Sequence, residues 1–170
     1  DDVVYLPGNR PDYIGGLREP QFAFLQAYLA QADKTKLLVI AAHIPLFQTG
    51  NGRETFRSDD RSRLFSLLKP FRDVLLLTAH SHTQTHYRHG PDSGWTGLGR
   101  LYEYNAGATC GAFWSGVKDA DGIPDTVMSD GTPNGYARLH IGLRDYRLGW
   151  FNARQQPNQA MAIHAPKVLR

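Results

Sequence analysis

The chain has 170 residues, with 19 Lys and Arg against 16 Asp and Glu, a formal net charge of +3, and 41% hydrophobic residues; this suits one globular domain with a small appendage and argues against disorder. The basic residues are scattered (Lys34 and Lys36, Arg61 and Arg63, Arg144 and Arg147), so no nucleic-acid-binding face is expected, while a small anionic substrate is compatible with the charge. No apolar run is long enough to span a membrane, and the single cysteine, Cys110, excludes an internal disulfide and a cysteine-rich zinc site.

In chain order, residues 3–6 read as a strand, and Gly8-Asn9-Arg10 as a surface turn. The sequence opens at Asp1 without Met and almost directly on that strand, so an N-terminal part of the protein is expected to be missing. The compartment stays open, with the periplasm and secretion among the options for a soluble protein. Phe22, Leu25, Tyr28 and Leu29 recur at helical spacing within residues 19–32. A continuous apolar strand, residues 36–43, follows and ends in His43. Residues 45–58 form a polar loop, and Leu64, Leu67 and Leu68 mark a helix over 59–69 that Pro70 closes. A second continuous apolar strand, residues 73–80, ends in His80. Such runs suit parallel strands covered on both faces, and the strand–helix alternation predicts an α/β sheet.

Beyond His82 the pattern changes. Short strands are expected at 83–87, 101–105, 136–141, 146–152 and 161–164, with a long glycine- and aspartate-rich loop between Gly107 and Gly135. Residues 74–79 are accordingly expected to form the last parallel strand, with antiparallel β structure after it.

The strongest chemical constellation is His43 with His80-Ser81-His82. Both apolar strands end in histidine at the carboxyl edge, where open α/β sheets place ligands, and imidazole on a rigid strand end is a good metal ligand. If residues 80–82 stay extended, His80 and His82 share one side; if the chain turns there, they diverge and serve different ions. His86 and His89 are weaker candidates, better read as solvent-facing or hydrogen-bonded. Asp119-Ala120-Asp121-Gly122 echoes the start of a calcium loop but fits turn chemistry better. Cys110 has no activating neighbour and reads as an inert thiol. Phe113 and Trp114 either pack or line a substrate pocket.

Ala42-His43-Ile44-Pro45 resembles the H-x-P segment of calcineurin-like metallophosphoesterases, and Ala79-His80-Ser81-His82 resembles their GHxH segment, with Ala79 in place of the usual glycine. Tyr13-Ile14-Gly15-Gly16-Leu17, with Gln21 and Leu25, is similar to the stretch before the H-x-P strand. Asn105-Ala106-Gly107-Ala108 and the segment from Asp130 to Tyr136 resemble a bacterial branch with an extra C-terminal β domain. The resemblance implies the C-terminal half of an αββα sandwich over residues 1–100 and a small antiparallel β-rich region over 101–170. It also implies a phosphomonoesterase or phosphodiesterase with two divalent ions (Mn, Fe or Zn). His43 and His80 would bind one ion and His82 the other, and the substrate would be a small phosphoester, with Phe113 and Trp114 as candidate substrate contacts.

The family's D-x-H, GD-x-x-D and GNH[DE] motifs precede the H-x-P segment and do not occur here, since Arg10 follows Gly8-Asn9 where histidine would stand. No catalytic acid or base is therefore identified, and the remaining ligands are expected from a missing N-terminal half of the same protein. Two other readings stay open: a mononuclear zinc enzyme using the three histidines, and a non-catalytic binding module carried by the β-rich tail.

Overall fold

The computed structural model describes residues 2–10, 12–47, 54–124, 126–142 and 145–153. The strand expected at 161–164 lies outside these residues, as do Asp125 and Arg144.

The chain opens with an antiparallel hairpin of β1 (Val3–Leu6) and β2 (Asp12–Gly15), with bends at Gly8, Asn9 and Arg10 between them. Helix α1 (Glu19–Gln31) starts with Pro20 in its first turn, where a missing N–H costs nothing. The Gln21 side-chain carbonyl accepts the Arg18 N–H at 2.9 Å and closes the helix start. Then come β3 (Leu37–Ala41), α2 (Ser58–Leu68) and β4 (Asp73–Thr78). Both helices and both strands agree with the sequence pattern to within a residue or two.

After β4 the chain makes β5 (Gln84–Arg88), a short 3-10 turn at Pro91–Ser93, β6 (Arg100–Ala106), and a final antiparallel hairpin of β7 (Gly135–Ile141) and β8 (Tyr146–Asn152). The main sheet has the order β3-β4-β6-β5. β3, β4 and β6 are parallel, and β5 runs antiparallel to β6 at the edge.

β4 is thus not the last parallel strand, contrary to expectation. The reason lies in composition. β5, Gln84 to Arg88, is half-exposed and polar and suits an edge. β6 buries Leu101, Glu103, Tyr104 and Asn105 and takes the interior position beside β4. Arg100, the first residue of β6, pairs with Asp73, so the strand at the junction of residues 1–100 and 101–170 belongs to the same sheet as β3 and β4.

Alternation along the strands sorts the sheet into two faces. Val74, Leu76 and Leu101, with Leu38 and Ile40, pack against Phe22, Leu29, Leu64, Phe65 and Leu68 of α1 and α2 to form the core. The same face continues towards the carboxyl edge as Glu103, Thr78 and Asn105, all buried. Polar side chains at that depth need partners, and those partners reach the histidines.

Candidate metal-binding site

His43 and His80 each stand two residues past the end of a parallel strand. The sheet ladder carries on beyond the strands: the Ala42 N–H donates to the Leu77 carbonyl at 3.0 Å, and the Ala79 N–H to the His43 carbonyl at 3.0 Å. These bonds bring the rings together, and His43 Nε2 lies 3.1 Å from His80 Nδ1. The planes cross at 72° with centroids 4.9 Å apart, and Tyr13 meets His80 edge-on at 5.7 Å.

Asp2 fixes the His43 backbone from below. It is buried, and its carboxylate accepts the His43 N–H at 3.1 Å and the Ile44 N–H at 2.7 Å, one on each oxygen. Burial holds the His80 imidazole below its ordinary pKa. The neighbouring His43 and His82 add to that depression, and Asp2 opposes it. A neutral ring keeps a lone pair available for a cation.

The chain turns at residues 80–82 rather than staying extended. His80 (φ 68°) and His82 (φ 54°) both adopt left-handed backbone. For non-glycine residues this costs about 1–2 kcal/mol each and concentrates at functional sites. His82 consequently faces the 107–135 loop. Its Nδ1–H donates to the Ala112 carbonyl, its carbonyl accepts the Ser129 N–H at 3.1 Å, and its ring lies 5.7 Å from that of Phe113. With Nδ1 so engaged, Nε2 is the nitrogen left to take a metal. Among the described residues, no group of three or more His, Cys, Asp and Glu side chains is arranged to hold an ion. The chain therefore brings together one histidine pair, with His82 on the adjoining turn.

The long loop lies beside His82. Its start needs glycine: Gly107 has φ +72°, and a Cβ there would meet Met128 Sδ at 2.4 Å. Asp130 accepts the Gln84 N–H at 2.6 Å, which ties the loop's far end to β5. The aromatic tip, however, is open, with Phe113 74% and Trp114 58% exposed. Asp119 Oδ1 accepts the N–H groups of Asp121 (3.0 Å) and Ile123 (2.9 Å), which makes this stretch a turn. Cys110 is a half-buried free thiol.

Beneath the turn runs a polar network that the sequence reading missed. Glu103 and His89 have fully buried side chains with His89 Nε2 2.7 Å from Glu103 Oε2. Glu103 Oε1 accepts from Thr78 Oγ1 at 2.7 Å and from the Leu46 N–H at 3.0 Å. Ser93 Oγ lies 3.1 Å from His89 Nδ1, so Ser93, His89 and Glu103 have the connectivity of a hydrolytic triad. The serine is instead absorbed by the Gly90 N–H at 3.1 Å and the Gly90 carbonyl at 3.0 Å. With the imidazole fully buried, this arrangement closes a turn. His86 contacts the Tyr102 hydroxyl. His86 and His89 therefore both make hydrogen bonds within the fold. The available sequence signal was Glu103 itself, a carboxylate at an inward position of an apolar and aromatic strand.

A mostly apolar cavity of about 840 Å³ lies between α1 and the sheet, lined by Leu17, Phe24, Ile40 and Leu76 among others, with Asp2 and His43 on its wall. His80 and His82 do not line it.

Residues 103–170 match the family described as the C terminal of calcineurin-like phosphoesterases. The match begins within β6 and takes in Asn105, the long loop and the β7–β8 hairpin, while His43, His80 and His82 lie upstream of it. This part of the chain is therefore similar to the C-terminal region of calcineurin-like phosphoesterases, the superfamily that the histidine motifs also resemble. No curated protein matches the chain.

Proposed function

We propose that this chain carries one share of a dinuclear metal centre for phosphomonoester or phosphodiester hydrolysis. His43 and His80 hold one divalent ion and His82 the other. The observation that carries this reading is the 3.1 Å separation of His43 Nε2 and His80 Nδ1. Two nitrogens bound to one zinc ion at about 2.0–2.1 Å in tetrahedral geometry lie about 3.3 Å apart, so a cation can replace the proton the rings now share with little movement. Imidazole suits Mn, Fe or Zn.

When bound, two such ions supply Lewis acidity to a phosphoryl group and lower the pKa of a water. The chain's own residues hold and aim the imidazoles: Asp2 fixes the His43 backbone, and the Ala112 carbonyl fixes the His82 ring. The remaining ligands come from an upstream half of the same protein. Phe113, at 5.7 Å from the His82 ring, and Trp114 beside it contact the non-phosphate part of a small phosphoester.

The test is a cobalt(II) titration of the chain followed by visible absorbance. The unmodified chain develops ligand-field bands, and His80→Ala and His43→Ala each abolish them. Bands of undiminished strength in both variants would place the ion elsewhere and sink the proposal. In a protein extended by the upstream half, His80→Ala abolishes phosphoester hydrolysis.

A further inference from the structure

We infer that Asn105 is the positioning residue that holds the His80-Ser81-His82 turn in register with His43. Asn105 is fully buried on β6, paired with Thr78 of β4 on one side and Thr85 of β5 on the other. Its carboxamide makes contacts in both directions. Nδ2 donates to the Ala79 carbonyl, just before His80, and to Thr78 Oγ1 at 3.3 Å. Oδ1 accepts from Ser81 Oγ, between the two histidines, at 2.9 Å, and from the Gly107 N–H at 3.3 Å.

The amide's orientation is unambiguous. The Ala79 carbonyl can only accept and the Gly107 N–H can only donate, so nitrogen and oxygen cannot be exchanged. One side chain thereby ties together the end of β4, the histidine turn and the start of the loop whose Ala112 reaches His82.

The need for such a clamp follows from the backbone. His80 and His82 sit at positive φ, a conformation that persists only where the surroundings impose it. Ser81 is also held by Thr83 Oγ1, at 2.8 Å. The clamp has a rigid base, because Thr78 Oγ1 donates to the buried Glu103 and can accept only from a donor such as the Asn105 amide. Asparagine is required: aspartate keeps the shape and the acceptor for Ser81 and Gly107, but sets a carboxylate oxygen against the Ala79 carbonyl.

The test uses the full chain with Asn105→Asp, Asn105→Ala and Ser81→Ala, and long-range proton–nitrogen spectra of the imidazoles. In the unmodified chain, His43 Nε2 and His80 Nδ1 give the nitrogen shifts of a hydrogen-bonded pair. In Asn105→Asp and Asn105→Ala that signature is lost, while amide exchange in β3 and β4 stays slow. A folded Asn105→Asp variant with the pair intact overturns the inference. Should both Asn105 variants unfold, Ser81→Ala decides, since it removes one bond to the turn and leaves the core amide in place. A weakened pair there supports the clamp, and an unchanged one overturns it.

A second arm rests on the proposed metal site. Asn105→Asp weakens cobalt(II) binding about tenfold or more, the usual cost of losing a residue that orients ligands. Equal affinity overturns the positioning role. An unmodified chain that binds no cobalt overturns the metal reading instead, and the imidazole spectra still decide Asn105.

Discussion

Single side chains at the carboxyl edge of the sheet divide by what their surroundings allow. Glu103 and His89 are wholly buried and partnered, and removing either leaves a buried hydrogen-bonding atom of the other unsatisfied, which costs about 1–3 kcal/mol. On the opposite face Tyr104 is also buried, and its hydroxyl donates to Gln84 Oε1 at 3.0 Å. Burial, with Tyr102 alongside, pushes its phenol up from 10.0 to about 12. The raised pKa fixes the sign of a pH effect. Below pH 10 the phenol is neutral in both states and its contribution is fully present. Between pH 10 and about 12 the unfolded chain ionises first, so stability falls as pH rises. Ultraviolet titration of phenolate absorbance should show a tyrosine with a midpoint near 12 that Tyr104→Phe removes, and Tyr104→Phe should flatten the loss of melting temperature above pH 10. A titration in which every tyrosine ionises near pH 10 in the folded chain contradicts this.

At the scale of elements, periodicity located both helices and the strands around them. The strands at 83–87, 101–105, 136–141 and 146–152 were legible because turn residues separate short alternating runs. Which strand neighbours which was not legible, because pairing depends on contacts distant in sequence. β6 reaches the interior by passing close under the connection between α2 and β4. A Cβ on Gly99 would lie 2.3 Å from both the Phe71 and Arg72 carbonyl oxygens, and the Arg100 N–H donates to the same Arg72 carbonyl at 2.9 Å. Backbone on the far side cannot give way cheaply. Gly99→Ala should therefore destabilise the chain by about 1–3 kcal/mol, read as a lower urea midpoint with faster amide exchange in β6. An unchanged midpoint would mean that β6 does not enter the sheet along this path.

For the whole molecule, the assembled edge presents one histidine pair, one neighbouring histidine, and a carboxylate already committed to backbone donors. Zinc sites use about three or four protein ligands in closed geometry, and among the described residues no such group forms. The chain by itself, supplied with manganese or zinc, should hydrolyse aryl phosphates no faster than the metal alone. Robust metal-dependent turnover that His80→Ala removes would show that this chain completes the site unaided. Phe113, exposed with its ring 5.7 Å from that of His82, and the exposed Trp114 that follows it in the chain fit the same picture.

The sequence by itself determined the α/β character, the strand ends at which His43 and His80 stand, and the likeness to calcineurin-like phosphoesterases. These follow from local information: apolar runs, helical spacing, and short motifs in a set order. Only the tertiary structure decided that β6 lies inside the sheet, that the histidine turn is left-handed, and that His82 faces the loop. It also brought Asp2, Glu103 and Asn105 onto hydrogen-bond partners around the histidine edge. Their partners are 41, 57 and 24 residues away at His43, Leu46 and Ser81, and no pattern along the chain reports a hydrogen bond that exists only once the strands are paired.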